Sequence, residues 1–417
     1  MNNFDNVTKK CVAFERKTLD WLWYGLIFLF AMNFSAKSNQ LLLGIFSFGI
    51  IVTIYKRSTF KMTVDLLFIW LFSFSYLILL TFHGRGGFGS LFIYMISPVG
   101  CFFIGYCIVK SNSEFILKTI MAIVFGNFTH GFLNMIEYFR YYGFTSSILG
   151  LRHIPDFWQG GVLTATLQST FYTLIACLLF YSLVLLINKQ RKGLAILIIL
   201  SIGFSLLATF VMGNRTLIIL MLITFFSSVL LYSFLTRKSP KYLAKNIAYI
   251  AFAMLGVYLI YTNNLFGIRE FVEGSTWYIR FNIMAINEDP RIQIYQRAAM
   301  QMFDFPFGGY KMDLGLSYAH NLWIDVLYAT GLFPFSFLLL FTFETIKNLI
   351  RLISFEEVDI EFKILIFSIY TGYFINFMIE PILEGVPYMF LSFCLISGMI
   401  RKKVDVHRKL RLLRTRR

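Results

Sequence analysis

At 417 residues, 58% of them hydrophobic, 19% aromatic and only 14% charged, the chain has too little charge to coat a water-facing surface, since soluble domains carry roughly 25% charged residues. That excludes a soluble enzyme, a disordered chain and a secreted disulfide scaffold. The net charge of +16 would suit nucleic acid if it were gathered into one patch, but it is dispersed along the chain, so no nucleic-acid partner is expected.

The N-terminal tail, with Lys9, Lys10, Arg16 and Lys17, leads into an apolar run with no small-residue cleavage site behind it. That predicts a retained first span and not a signal peptide. A spanning helix takes about 20 mostly apolar residues. Such runs fall at 19–36, 39–55, 62–82, 90–109, 115–139, 163–187, 193–212, 216–235 and 246–263. After a polar stretch at 264–320 come 321–343, 362–381 and 386–400. The expected fold is all-α: a polytopic integral membrane protein of about 12 transmembrane helices. Nine helices occupy 1–263, a long outer-face loop with short interfacial helices occupies 264–320, three more helices occupy 321–400, and a basic tail follows at 401–417. Cys11, Cys101, Cys107, Cys177 and Cys394 lie apart, with no C-x-x-C pair and no disulfide or zinc framework.

Lys and Arg accumulate in cytoplasmic loops. With the N-terminus inside, the loops on that side and the two tails hold 28 of the 38 basic residues and the outer side holds 10. Lys56, Arg57, Lys61 and Lys110 belong to the inner set, as do the basic residues from Arg237 to Lys245. Both termini are therefore expected in the cytoplasm. Basic loops facing anionic membrane lipids account for most of the net charge.

The ten outer cations are Lys37, Arg85, Arg140, Arg152, Arg215, Arg269, Arg280, Arg291, Arg297 and Lys311. The inside bias disfavours them there, so a second reason must retain them. Nine of the ten are Arg or lie in the long loop, and Arg suits bidentate contact with phosphate or carboxylate. Arg215 lies in Met212-Gly213-Asn214-Arg215-Thr216, a connection of a few residues between two apolar runs. Either it anchors a helix end by snorkelling to water or it contacts phosphate. From Arg291 to Phe303, apolar residues at helical spacing predict an interfacial helix beginning after Pro290. Glu288 and Asp289 sit near its start, where acidic side chains suit the helix dipole. Phe305-Pro306-Phe307-Gly308-Gly309-Tyr310 predicts the turn that ends it.

In Ser317-Tyr318-Ala319-His320-Asn321-Leu322-Trp323-Ile324-Asp325 the loop returns to the membrane. A neutral imidazole accepts a sugar hydroxyl proton well near neutral pH. A lone His at an aromatic-rich helix start is ordinarily structural, but His320 shares its expected face with Arg215 and Arg291. His83, His130, His153 and His407 have no such company. Asp325 is five residues from His320, outside the three-to-four spacing of one helix face, so no direct contact with the imidazole is expected. Glu380, Pro381 and Glu384 mark the last outer turn, where ionisable groups are functional candidates.

These residues resemble the O-antigen polymerase and O-antigen ligase superfamily, bacterial integral-membrane enzymes that act on glycans carried by undecaprenyl diphosphate. Three pieces carry the resemblance: the run from Arg291 to the turn Pro306-Phe307-Gly308-Gly309, the pair His320-Asn321 followed after nine residues by Gly331, and Asn214-Arg215-Thr216 at the outer start of a mid-chain helix. They cover roughly residues 210–335; the remainder matches by topology.

The resemblance implies a membrane glycosyltransferase in the bacterial cytoplasmic (inner) membrane. It makes His320 the base that activates the acceptor hydroxyl, and Arg215 and Arg291 the ligands of the donor diphosphate. Arg280, Arg297 and Asn321 become further substrate contacts. It implies no cofactor and no metal, a lipid-linked glycan as substrate and a chain-length regulator protein as partner. The ligase form usually carries Gly, Thr or Tyr where this chain has Pro334, and its large loop tends to be longer. The preferred reading is therefore a polymerase of O-antigen, capsule or exopolysaccharide repeat units. One alternative is a ligase moving the glycan onto lipid A core or a protein. Another is a flippase of lipid-linked sugars, which would line a central cavity with charge.

Overall fold

In the computed structural model, residues 18–55, 62–108, 112–143, 152–236, 255–256, 258–283, 290–315 and 318–414 are described. The first helices are Thr18–Ala31 (α1), Ser38–Tyr55 (α2), Val64–Phe82 (α3), Ser97–Ile108 (α4) and Ser113–Tyr142 (α5). A π-helical turn at Leu91–Ile96 leads into α4. Strands His153–Pro155 (β1) and Val162–Thr164 (β2) precede Ala165–Ala176 (α6), Leu179–Ile187 (α7), Lys192–Met212 (α8) and Thr216–Thr236 (α9). The long loop carries Ile268–Glu273 (α10), Thr276–Ile283 (α11) and Pro290–Gln301 (α12). The chain then forms Leu322–Thr330 (α13), Leu332–Ser354 (α14), Ile360–Ile379 (α15), Ile382–Gly385 (α16) and Pro387–Arg414 (α17).

Seven helical segments among the described residues are long and apolar enough to cross a membrane: α3, α5, α6 with α7, α8, α9, α14 and α15. Shorter apolar helices lie at Thr18–Ala31, Ser38–Thr53 and Leu91–Cys107. Without water in a bilayer, backbone groups must be satisfied within the segment, which helices achieve. Buried hydroxyls are satisfied in the same way: on α8, the hydroxyls of Ser201, Ser205 and Thr209 donate to the carbonyls of Leu197, Ser201 and Ser205, each one turn back. Leu200 and Leu230 are 66% and 61% exposed, which fits lipid-facing positions and not a water-facing surface. The architecture is that of a mostly helical, multi-pass membrane protein.

The all-α expectation holds apart from the β1–β2 hairpin, which pairs His153 with Thr164 and Pro155 with Val162. Several predicted boundaries move. The run 163–187 is interrupted between α6 and α7, and the run 386–400 continues as part of α17. The span expected over 321–343 splits at Gly331, leaving α13 as a short helix and α14 as the helix of spanning length. Gly331 holds φ 81°, and an added Cβ there would strike the Pro306 carbonyl oxygen. Most of the predicted span 246–263 lies outside the described residues, as do Cys11, the N-terminal basic residues, Lys56, Arg57, Lys61, Lys110 and Arg237 to Lys245. Glu288, Asp289 and Ser317 also lie outside them.

The chain divides into two units: Met1–His130 with Arg297–Phe355 and Pro381–Arg417, and Gly131–Gln296 with Glu356–Glu380. In the first, α4 packs on α17 and α14 on α3. Gly105 and Gly398 allow that first contact, because a Cβ at either would meet backbone oxygen of the facing helix; small residues let helix backbones approach in this way. Trp23 is buried between Phe48 and Phe115 and donates to Thr119 Oγ1 at 2.9 Å. Where α3, α14 and α17 meet, Asp65 receives Arg401 at 3.3 Å, and Asn348 bonds both of them. Arg401 also lies 3.4 Å from Asp405, which accepts from Tyr106. In the second unit, α9 packs on α15 and α7 on α8, with Ser228 and Ser368 3.0 Å apart between α9 and α15.

Candidate functional site

The second unit gathers four charged residues from four separate segments: Arg152, Arg215, Arg291 and Glu380. Each is fixed by its local sequence. Arg215 follows Gly213, which caps α8 in the left-handed region with φ 66°. Asn214 is buried and its side-chain oxygen accepts from the N–H groups of Thr216 and Leu217 at 2.8 and 3.2 Å. That is a helix N-cap, and it sets where Arg215 emerges at the start of α9.

Arg291 is the second residue of α12, whose Pro290 suits the first helical position. The hydroxyl of Tyr295, one turn further, donates to the carbonyl of Met378 at 2.7 Å. This bond ties α12 to the end of α15, where Glu380 is the C-cap residue. Arg152 directly precedes β1. Its hairpin is anchored by buried Asn134, which accepts from the Phe157 N–H at 2.9 Å and donates to Gln168 at 2.9 Å. Gln168 in turn donates to the Gly131 carbonyl and the Tyr172 hydroxyl. Asp156 closes the hairpin turn by accepting from Trp158 and Gln159.

Glu380 is 2% exposed, and its Oε2 has no hydrogen-bond partner among the described residues. Burial pushes its carboxyl up to about 7, opposed by the guanidinium groups of Arg291 and Arg152. The Arg152 guanidinium is held below its ordinary value by burial and by the like charges of Arg215 and Arg291, with Glu380 acting the other way. Arg152 therefore feels two cations and one acid that is only part-ionised at neutral pH. Such a group gains from an entering anion, because an anion offsets the repulsion that the guanidinium groups exert on one another.

The first unit holds His320 and its surroundings. His320 adopts φ 53°, a costly conformation for a non-glycine residue. Asp325 supports it: its two oxygens accept from the N–H groups of Ala319 at 2.6 Å and Asn321 at 3.2 Å, on either side of the histidine. Burial, and then the Glu384 charge, push Asp325 up to about 7, against those two bonds. The side-chain oxygen of Asn321 accepts from Trp323 and Ile324 and so caps α13.

The two glycine motifs meet here. Gly309 and Tyr310 donate to the carbonyls of Ala329 and Tyr328, and Leu332 donates to the carbonyl of Pro306. Gly308, at φ 71°, leaves no space for a Cβ against Thr330 and Gly331. His83, which has no company along the sequence, has its Nε2 2.8 Å from the Phe307 carbonyl oxygen in the same turn. The Arg85 guanidinium lies 3.8 Å above the Tyr310 ring, and the Tyr310 hydroxyl donates to Glu384 at 3.3 Å.

Of the remaining candidates, Arg297 is exposed and lies 4.0 Å from Asp313. Arg280 sits on α11, and its side chain lies outside the described residues. In the sequence, Arg152 is one of the ten outer cations. No period or motif marks it, since its partners come from residues more than sixty positions away. Glu380 was legible as an ionisable group at a span end; its grouping with the arginines was not. No group of three or more His, Cys, Asp or Glu residues suited to a metal ion occurs among the described residues. Compared with models of known protein families and with curated proteins, the chain matches none.

Proposed function

We propose that the chain is a membrane glycosyltransferase that polymerises undecaprenyl-diphosphate-linked repeat units of O-antigen, capsule or exopolysaccharide. In this reading it crosses the bacterial cytoplasmic membrane twelve times with both termini in the cytoplasm, and it works on the outer face, where a chain-length regulator is its partner. The observation that supports the proposal is that Arg152 lies within electrostatic reach of Arg215, Arg291 and Glu380, in a cluster whose carboxyl is buried.

Planar guanidinium groups match diphosphate oxygens bidentately, and they stabilise the charge that grows on the leaving group as the sugar–oxygen bond breaks. The acceptor hydroxyl oxygen forms a bond to the anomeric carbon of the donor, the bond from that carbon to the diphosphate oxygen breaks, and the hydroxyl proton passes to a base. The base role falls to His320 on the strength of the His-Asn-x9-Gly motif. Asp325 grips the backbone on both sides of it, which supports a fixed imidazole position.

The test is complementation of a strain lacking its own polymerase, with the glycan ladder as readout at matched membrane levels. The unaltered chain is expected to restore the ladder, and Arg152→Ala, Arg215→Ala, Arg291→Ala and His320→Ala to leave single repeat units. A ladder that persists in all four variants overturns the reading. Transfer of a single unit to lipid A core would move the assignment to a ligase, and accumulation of lipid-linked units on the cytoplasmic side would move it to a flippase.

A further inference from the structure

At the far end of α14, in the first unit, the last turn of that helix and the C-terminal part of α17 line an open cleft of about 410 Å³. Apart from Ser354, its lining divides into three guanidinium groups, from Arg351, Arg408 and Arg411, and three apolar side chains, Phe355, Val404 and Leu412. Among the described residues, no acidic side chain lines it. Val404, Arg408 and Arg411 are spaced four and three apart, so α17 presents them on one face. Val404 is 1% exposed and forms the floor. Phe355 is held in place by the ring of His407, stacked at 5.3 Å and 25°.

Cations on a merely solvated helix face spread apart to lower their repulsion; these three border one concavity. The C-terminal end of α14 carries a partial negative charge from its backbone, so the backbone offers an anion nothing and attraction must come from the side chains. The position selects the ligand. α14 is long and apolar enough to cross a membrane, and Arg351 lies in its last turn, the level at which a spanning helix reaches the phosphate layer. Basic pockets between helices at that level suit lipid head groups.

We infer that this cleft binds the phosphate of an anionic phospholipid, with Arg351 and Arg408 contacting the phosphate and the glycerol and first methylenes lying on Phe355, Val404 and Leu412. The apolar half of the lining favours a lipid over a free anion, because inorganic phosphate would leave that half wet. This inference is independent of the proposed glycosyl transfer.

Native mass spectrometry of the full chain, released from mild detergent, tests it with phosphatidylglycerol, phosphatidylcholine and inorganic phosphate as probes. The unaltered chain is expected to retain phosphatidylglycerol about tenfold better than phosphatidylcholine. Arg351→Gln and Arg408→Gln should each lower that retention about fivefold, the worth of one basic residue near an anionic lipid. Lys409→Gln, on α17 but outside the lining, should leave it unchanged. Should Arg351→Gln fail to fold, Arg408→Gln carries the test, since that side chain is exposed.

Unchanged retention in the arginine variants overturns the inference. So does an equal loss in Lys409→Gln, which would mean diffuse charge attraction. Displacement of phosphatidylglycerol by millimolar inorganic phosphate would reassign the site to a free anion and overturn the lipid assignment.

Discussion

Two charged clusters in this chain are built on opposite plans. The knot of Asp65, Asn348, Arg401 and Asp405 is closed: Arg401 bridges two carboxylates, and the amide and the Tyr106 hydroxyl supply further bonds. The group of Arg152, Arg215, Arg291 and Glu380 is open: cations act on one another, and the acid among them is held near neutrality by burial. A closed cluster keeps its ion pairs for the fold. An open one carries an excess of like charge, which the proposed diphosphate ligand would offset. Burial alone does not separate the two, since Asp65 and Glu380 are 0% and 2% exposed. The balance of charge does.

Breaking the closed knot should have the largest effect on stability. Arg401→Ala leaves Asp65 buried without its cation, a loss of about 3–5 kcal/mol, visible as early unfolding in a denaturant titration of the purified chain and as a depleted membrane level. The open cluster should behave in the reverse manner. Arg152→Ala is expected to cost roughly a hundredfold in glycan polymerisation, the scale for losing one donor to developing negative charge, while the denaturation midpoint moves far less than in Arg401→Ala, because the repulsion from Arg215 and Arg291 that is removed offsets the Glu380 attraction that is lost. If both substitutions act through stability, the comparison fails.

Asp325→Ala should fall between these. It withdraws the acceptor of two buried N–H groups beside His320, at about 1–3 kcal/mol for each group left unsatisfied. Activity at matched membrane level should drop as it does in His320→Ala, and a ladder of normal length would remove Asp325 from that role.

The acid in the open cluster gives a pH signature. The Glu380 carboxyl is raised in the folded chain to about 7, so the folded state holds its proton where the unfolded state has released it. Its stabilising contribution is complete below the ordinary carboxylate range and is lost as pH rises towards 7. Anion binding follows the same direction, since protonation removes the Glu380 charge that faces Arg152 and Arg291. Between pH 8 and pH 6 affinity for a diphosphate should rise about tenfold, the value of one pKa unit of charge interaction, and Glu380→Gln should bind at the low-pH level throughout. A Glu380→Gln chain that keeps the pH slope would mean that another group titrates. The smallest effect is expected at Arg297, exposed and 4.0 Å from an exposed Asp313. Arg297→Ala should change the ladder by no more than about twofold, in keeping with the small worth of exposed ion pairs.

How far the sequence speaks can be read from the same residues. Apolar runs announce most helices because a bilayer requires length and composition, and both are linear properties of a chain. The break between α13 and α14 is another matter. Gly331 fits a helical run in composition, and its φ of 81° comes from the close approach of the Pro306 carbonyl. Arg215 and Arg291 were legible because a cation at an unfavourable location needs a reason. Arg152 carried the same signal without a motif beside it, and only folding of the hairpin onto Asn134 and Gln168 brings it near Glu380. On helical geometry, the five-residue spacing of Asp325 from His320 gives no contact with the imidazole. The left-handed turn at His320 directs the flanking N–H groups to the carboxylate instead, a geometry outside any helical wheel.

The most direct test of the open cluster is equilibrium binding of a short-chain polyprenyl diphosphate, against the matching alcohol, to the purified full chain and to Arg152→Ala. The diphosphate is expected to bind well ahead of the alcohol, and Arg152→Ala to weaken only the diphosphate, by at least about tenfold, the effect of removing roughly one charge-assisted contact. Equal binding of the diphosphate by both chains would contradict this expectation, and would leave Arg152, Arg215 and Arg291 as charges without a shared ligand.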